Sequence, residues 1–452
     1  MSESVPANLV TQTWSKPLEP PESIPASADV VIIGGGIVGV STAWFLAKQG
    51  VNVVLCEKGH IAGEQSGRNW GWLRQQCRDA REMPMVIESM KIWRGLADEI
   101  GEDVGYHETG CLYAAKDDDE LDGYVAWLPT AKAFGLDTRI LTGEEVAQFA
   151  RGASVTWKGG LYTASDGYAE PHKAAPAIAR AAARGGATIL TACAVRGLET
   201  EAGRVSAAVT EHGTIKTPVV LCAGGVWTSI FCRSIGISVP QLKVRGTVAR
   251  TSQAECVLNG TLWGAQTGMR CRQDGGYTVS IEDYLDHSIT PSTFRYIFKF
   301  LPSLLQDFNR VRLSIGRDFI DEWREPKQWR LDAESPFEKK RVLDPDPNPR
   351  AVKAIRKSLD SLFPQLADTE IVETWAGIVE STPDVVPVIG ESDAIPGFHF
   401  ATGFCGHGFG IGPGAGKAIA GMLTGTETGI DLSEFRLSRF FDGTKLRLYQ
   451  KV

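Results

Sequence analysis

The sequence predicts an α/β fold in which one helix-covered parallel sheet is assembled from three separated segments and a second domain is inserted in two pieces. Three observations predict it. A β-branched run, a helical stretch and another β-branched run follow one another over Asp29–Lys58. A helix and two strand-like runs span Gly167–Gly225, and a short strand, a glycine-dense turn and a helix fill Phe398–Gly425. Apolar periodicity that switches between two and 3.6 residues is the mark of strands alternating with helices.

In the first segment the run DVVIIGGG is a strand, Ile37–Gly50 a helix and Val51–Glu57 the second strand of a βαβ unit. In the second, the Ala- and Arg-rich stretch Pro171–Arg184 is a helix stopped at Gly185-Gly186, and Ala187–Leu190 and Val219–Ala223 are strands. In the third, FHFAT is a strand and Gly414–Leu423 a helix. Between them, Gly105–Arg151 reads as strand, charged helix and strand, and Val239–Pro364 contains alternating strands such as Gly276–Ile281. Prolines at every second position of Asp344–Pro349 forbid a helix interior or central strand, so this is a surface connection before a helix over Ala351–Leu362. The division that results is a loose arm (1–27), a nucleotide-binding domain (28–104, 160–238 and 371–440), a substrate domain (105–159 and 239–370) and a tail (441–452).

Composition excludes several classes. At 452 residues and 43% hydrophobic content the chain holds two to three domains' worth of core. Its 54 acidic and 47 basic residues leave a net charge of −7, with no basic footprint for nucleic acid. No apolar run reaches the ~18–20 residues of a membrane span. Met1–Ala28 is polar, holds five prolines and does not resemble a secretory signal, so a cytoplasmic location is expected. The nine cysteines form no C-x-x-C and none sits beside a histidine at ligand spacing. They read as buried reduced thiols, and no metal site is expected.

Gly34-Gly35-Gly36-Ile37-Val38-Gly39 fits G-x-G-x-x-G directly after a strand and before a helix. Gly34 allows the tight turn, Gly36 lets the backbone approach a pyrophosphate at the helix start, and Gly39 permits close helix–strand packing. Glu57 ends the second strand 18 residues beyond Gly39, where a carboxylate accepts hydrogen bonds from a ribose diol. The motif alone fits NAD or FAD. The polar loop that follows, Gly63 to Gly71 with Ser66, Gly67, Arg68, Asn69 and Trp70, favours FAD, because its small residues and donors can line a second phosphate and then an aromatic ring. Near the C-terminus, seven glycines between Gly403 and Gly416 make a turn whose N–H groups converge on an anion or on electron-poor ring carbonyls, and the helix after it points its positive end back at that turn.

These blocks, together with DGYAEPHK at 166–173 and the stretch Trp375–Gly390 containing Thr382-Pro383-Asp384, resemble the D-amino-acid oxidase-like (DAO) superfamily of FAD enzymes. That superfamily includes sarcosine oxidase, glycine oxidase and D-amino-acid dehydrogenases, and GFCGHGFGIGPGAGKAIA is most similar to the sarcosine oxidase branch. The resemblance runs from about residue 28 to 440. It implies a Rossmann-like FAD-binding domain and an antiparallel-sheet substrate domain whose face covers the flavin ring. It also implies a cofactor-contacting set. Around the first motif this comprises Gly34, Gly36, Ile37, Val38, Gly39, Glu57 and Lys58, and in the polar loop Ser66, Gly67, Arg68, Asn69, Trp70, Gly71 and Trp72. Val195, Ala223, Gly224 and Trp227 follow, then Gly377, Gly403, Gly406, His407, Gly408, Phe409 and Gly410.

Two departures matter. Gly377 stands where sarcosine oxidase-like enzymes attach flavin to a cysteine, so FAD is expected to be non-covalent. The carboxylate anchors of the relatives, an arginine and a lysine, are here Val379 and Gly410. Arg74 resembles another carboxylate-binding arginine, since a guanidinium fork binds a carboxylate bidentately, although a flavin contact or a structural ion pair fits it equally. Arg245 and Arg270 are further candidates, Trp70, Trp72, Trp263 and Tyr277 can line the pocket, and Glu380 reads as a surface ion pair, with contact to a second cationic amine as its other reading. His407 is the histidine expected to border the flavin, as a tuner of its potential, a proton relay or a structural donor. The expected reaction is oxidation of a C–N bond of a small amine or amino-acid-like substrate, with oxygen or an electron carrier as acceptor. The alternatives are oxidation of a C–OH group of a small hydroxy acid, or a flavoprotein subunit of a larger complex.

Overall fold

The computed structural model describes residues 23–281, 285–307 and 311–448. The expected arm lies outside the described residues except for 23–27, and the expected tail except for 441–448.

The three separated segments meet in one six-stranded sheet. Its order is Val388–Glu391, Phe398–Thr402, Val219–Cys222, Val30–Ile33, Val53–Cys56, Thr188–Leu190, parallel except at the Val388–Glu391 edge, which runs back antiparallel. The central strands are near-continuous β-branched runs because both faces are covered. Val30, Ile32, Val53 and Leu55 pack under the helices Ile37–Lys48, Met83–Ile100, Pro171–Arg184 and Gly408–Thr424. Val31, Val54, Val220 and Phe400 face the opposite way, toward a three-stranded antiparallel sheet (Val195–Glu201, Arg204–Thr210, Gly213–Lys216) and Phe231.

The second sheet has ten strands. It is largely antiparallel, with parallel pairing only of Thr261–Gly264 with Cys111–Ala115 and of Leu285–Ser288 with Val311–Ser314. Two strands expected among the nucleotide-binding segments belong to it. Ile371–Ser381 pairs along its whole length with Leu242–Thr251, and Gly159–Thr163 lies between Cys111–Ala115 and Thr138–Thr142. The strands that pair with both lie in the second sheet.

The C-terminal helix begins at Gly408, six residues earlier than its sequence suggests. Each glycine in a helix interior costs about 1 kcal/mol relative to alanine, and packing offsets that cost. A Cβ on Gly412 would lie 2.8 Å from Ile37, one on Gly416 would lie 2.5 Å from Ser41, and one on Gly414 would collide with the Met85 carbonyl. The absent side chains let this helix lie almost backbone to backbone against Ile37–Lys48 and Met83–Ile100. Ser89 stitches the contact, donating to the Gly410 carbonyl (2.6 Å) and accepting from the Gly414 N–H (3.2 Å), while Trp93 Nε1 donates to the same carbonyl (3.0 Å). Gly414→Ala is expected to lower stability by roughly 1–3 kcal/mol through this collision. Gly95→Ala, on an exposed helix position with nothing near its Cβ, is expected to raise it by about 0.5–1 kcal/mol. Urea unfolding of the two variants checks both signs.

Candidate functional site

An open cleft of about 1250 Å³, solvent space included, is lined by the N-terminal turns of the helices Ile37–Lys48 and Gly408–Thr424. Gly34 has φ +112°, and any Cβ there would strike the Ala223 carbonyl, so the first strand turns hard against the Val219–Cys222 strand end. Gly39 admits no Cβ because the Gly34 carbonyl lies beneath it. The helix therefore starts directly under the turn, with Gly36, Ile37 and Val38 on the cavity wall and the Ile37 N–H donating to Ser66 Oγ at 2.8 Å. Glu57 lines the cavity and accepts from the N–H groups of Gly35 and Gly59, both at 2.7 Å. Burial raises its carboxyl pKa against the opposing pull of Lys58 and these two amides. A tight glycine turn, a helix N-terminus and a terminal acid at one end, and a second helix N-terminus at the other, fit a flavin dinucleotide.

Of the expected cofactor set, Gly34, Gly36, Ile37, Val38, Glu57, Lys58, Ser66, Asn69, Val195, Ala223, Gly224, Trp227, Gly406, Gly408 and Phe409 line this cavity. Lys58 does so with its ammonium engaged by Glu64 (2.6 Å) and the Arg341 carbonyl (2.7 Å), above the Trp227 ring. Arg68 and several of the other glycines pack beside these walls. Arg68 is buried, bonding the carbonyls of Gly63 and Ala376 and pairing with Asp344. Gly67 and Gly377 pack tightly against Ala62 and Gln65, Gly403 against Thr382, and Gly410 against the Trp72 backbone. Gly71 leaves room for the Ala169 carbonyl and the Arg270 guanidinium.

Beyond the glycine turn lies a second group of side chains. Trp70 stacks on Trp263 with ring centroids 5.8 Å apart, Trp72 meets both edge-on, and the Arg74 guanidinium lies 5.4 Å from the Tyr113 ring centroid. The loop carrying Arg74 is held by Asp166, which accepts from the N–H groups of Gln75 (2.7 Å) and Gln76 (3.1 Å). Burial pushes the Asp166 carboxyl up to about 6 despite those bonds. His407 Nδ1 lies 3.6 Å from the buried carboxylate of Glu82. Burial, helped by the charge of Arg78, drops the His407 pKa to about 4, so its imidazole is neutral at physiological pH.

Several expectations are corrected. Arg270 is no substrate anchor, because its guanidinium is committed to Glu170 (3.0 and 2.8 Å) and to the carbonyls of Trp70 and Cys271, with both charges buried. Burial alone would raise the Glu170 carboxyl, but the adjacent Arg270 carries it down to about 2. Arg245 pairs with Asp286 on the second sheet. Tyr277 is a core residue whose hydroxyl donates to the Glu255 carbonyl (2.7 Å) and accepts from the Val257 N–H (2.8 Å). Glu380 is not a surface ion pair. It is 6% exposed, lines the cavity, and has its carboxyl pushed up to about 7 by burial, with Glu64 adding to the rise.

Sequence reasoning missed Glu64, Gln65, Phe337, Arg341, Ile378 and Phe404 on the cavity wall. Glu64 and Gln65 stood inside the quoted polar loop and were open to notice. Phe337 and Arg341 carried no local signal, since they arrive from a stretch assigned to the other domain. Among the described residues no helix is long and apolar enough to cross a membrane.

Comparison with known proteins agrees with this geometry. A family model described as DAO, FAD dependent oxidoreductase, matches residues 29–422. Mitochondrial sarcosine dehydrogenase of Mus musculus is 27% identical over 447 residues, covering 97% of this chain and 43% of that protein. The chain thus spans less than half the length of that relative. Glycine oxidase of Geobacillus kaustophilus is 25% identical, over 91% of this chain and 97% of that one. The solved structure of L-amino acid deaminase from Proteus myxofaciens in complex with anthranilate superposes with a TM-score of 0.91 at 34% identity, covering 94% of this chain and 96% of that one.

The Glu380 carboxyl generates a pH test. A pKa raised from 4.5 to about 7 in the folded state means that its stabilising contribution is full below about 4.5 and is lost as pH rises through 7. The flavin-free protein is therefore expected to lose roughly 1 kcal/mol of stability between pH 6 and pH 8 through this group. Glu380→Gln should lack that slope. Parallel slopes in denaturant titrations of the two proteins would remove Glu380 as its source.

Proposed function

This chain belongs to the DAO family of FAD-dependent oxidoreductases, and from that premise we propose that it oxidises the C–N bond of a small amine that also carries a carboxylate. The observation that carries the reading is Arg74, set among aromatic rings beyond the glycine turn, on a loop fixed by Asp166. The names of the relatives, a sarcosine dehydrogenase, a glycine oxidase and an L-amino acid deaminase, support the same substrate class.

When bound, FAD would supply the acceptor for the hydride on the amine-bearing carbon, and the imine product would take up water to give a carbonyl compound and free amine. The chain's own residues bind and orient. Arg74 donates to the Gln76 carbonyl (2.6 Å), which orients the guanidinium, a group whose fork geometry matches a carboxylate. Trp70, Trp72, Trp263 and Tyr113 form an aromatic cluster beside Arg74, and against such apolar surface an ammonium loses its proton more readily. The nearby positive charges of Arg74 and Arg78, both of which depress the His407 pKa, act in the same direction. His407 is then a neutral hydrogen-bonding group at the start of the C-terminal helix, where it orients the substrate or its departing proton without adding charge. The acceptor that reoxidises the flavin is oxygen or an electron carrier, distinguished by peroxide release in air.

Anaerobic mixing with a panel of amino acids, N-methyl amino acids, simple amines and hydroxy acids tests the reading. Carboxylated amines are expected to bleach the flavin spectrum. Bleaching by hydroxy acids alone would replace C–N by C–OH oxidation. For the best substrate, Arg74→Ala should lower kcat/KM about 10- to 150-fold, the size of a lost charge-assisted hydrogen bond, and unchanged kinetics would remove Arg74 from the site.

A further inference from the structure

We infer that Trp329–Asp344 is a strap that gates the Glu57 end of the FAD cavity, so that the dinucleotide leaves only when the strap lets go. In sequence this segment lies between elements of the second sheet and its helices. In space it crosses onto the nucleotide-binding sheet. Phe337 is buried there against Trp227, Phe231 and Trp329, and Phe337 and Arg341 both line the cavity.

The fastening is polar and falls at both ends of the segment. Glu338 receives a two-pronged bond from Arg196 (2.9 and 2.7 Å), and Trp329 Nε1 donates to the Arg196 carbonyl at 2.7 Å. Arg341 makes the matching pair with Glu211 (2.8 and 2.6 Å) and donates to the Lys58 carbonyl. Lys58 answers by donating to the carbonyls of Lys340 and Arg341, and the Leu343 N–H donates to Glu64. Gly59 is where the two chains touch, since a Cβ there would lie 2.6 Å from the Arg341 carbonyl. Paired Arg–carboxylate forks give geometric definition as well as attraction. Lys58 and Glu64 belong at once to the cavity wall and to the fastening, so filling the cavity and closing the strap are coupled through the same side chains.

The strap holds consecutive trypsin sites at Lys339, Lys340 and Arg341; the two lysines are exposed, whereas the Arg341 side chain is held by Glu211 and the Lys58 carbonyl, so cleavage after Arg341 requires that end of the segment to let go. In the wild-type protein, FAD is expected to slow cleavage after Arg341 at least tenfold relative to the flavin-stripped protein. Arg196→Met combined with Glu211→Gln, two changes that leave the cavity lining intact, should speed FAD release from diluted holoprotein at least tenfold, read as FAD in ultrafiltrates over time. Cleavage after Arg341 within twofold with and without FAD overturns the inference. So does wild-type release from the double variant when circular dichroism shows it folded. If the double variant does not fold, the protease comparison decides alone.

Discussion

The close approach of two helices governs this structure. Gly412 and Gly416 allow the helix Gly408–Thr424 to lie against Ile37 and Ser41 of the helix Ile37–Lys48. Helices whose first residues, Ile37 and Gly408, are 371 positions apart thereby open their first turns onto one cavity, and the positive ends of two helix dipoles face one ligand site. Side chains at these positions would clash with Ile37 and Ser41 and push the helices apart. Ser89 and Trp93 brace the contact from a third helix by bonding the Gly410 carbonyl, so the packing that stabilises the domain also sets the site's geometry.

Polar groups removed from water fix the rest of the site. Buried charges are retained only where they are paired or richly hydrogen-bonded. Arg270 and Glu170 satisfy one another and tie the second sheet to the backbone at Trp70, and Asp166 holds the loop at Gln75 and Gln76 with backbone amides. Both acids come from the segment Asp166–Lys173, so that motif fastens the frame around the site. The result is a rigid frame behind Arg74 and the tryptophan cluster, of the kind that pre-organises a binding wall.

Glu380 and the strap show how the two sheets share the cofactor cavity. Glu380 is on the long strand Ile371–Ser381, whose hydrogen-bonding partner is in the second sheet, yet its carboxyl lines the cavity. Arg341 and Phe337 also line this cavity. The nucleotide-binding segments form most of the wall, and the second domain closes it at two places.

The sequence alone determined the βαβ unit, the glycine turn at Gly34, the acid at Glu57 and the second anion-directed turn near Gly406. Each is a local rule in which backbone conformation, period and a terminal carboxylate sit within some 30 residues and need no distant partner. It also made the DAO resemblance legible, because those local rules recur in fixed order. Only tertiary structure decided that Ile371–Ser381 joins the second sheet, that Gly408–Gly412 is helical, that Arg270 is spent on Glu170, and that Glu380 is buried. Strand pairing, helix packing and the fate of a charge depend on what lies opposite in space, and a side chain's neighbours across the sheet leave no trace in the residues beside it along the chain.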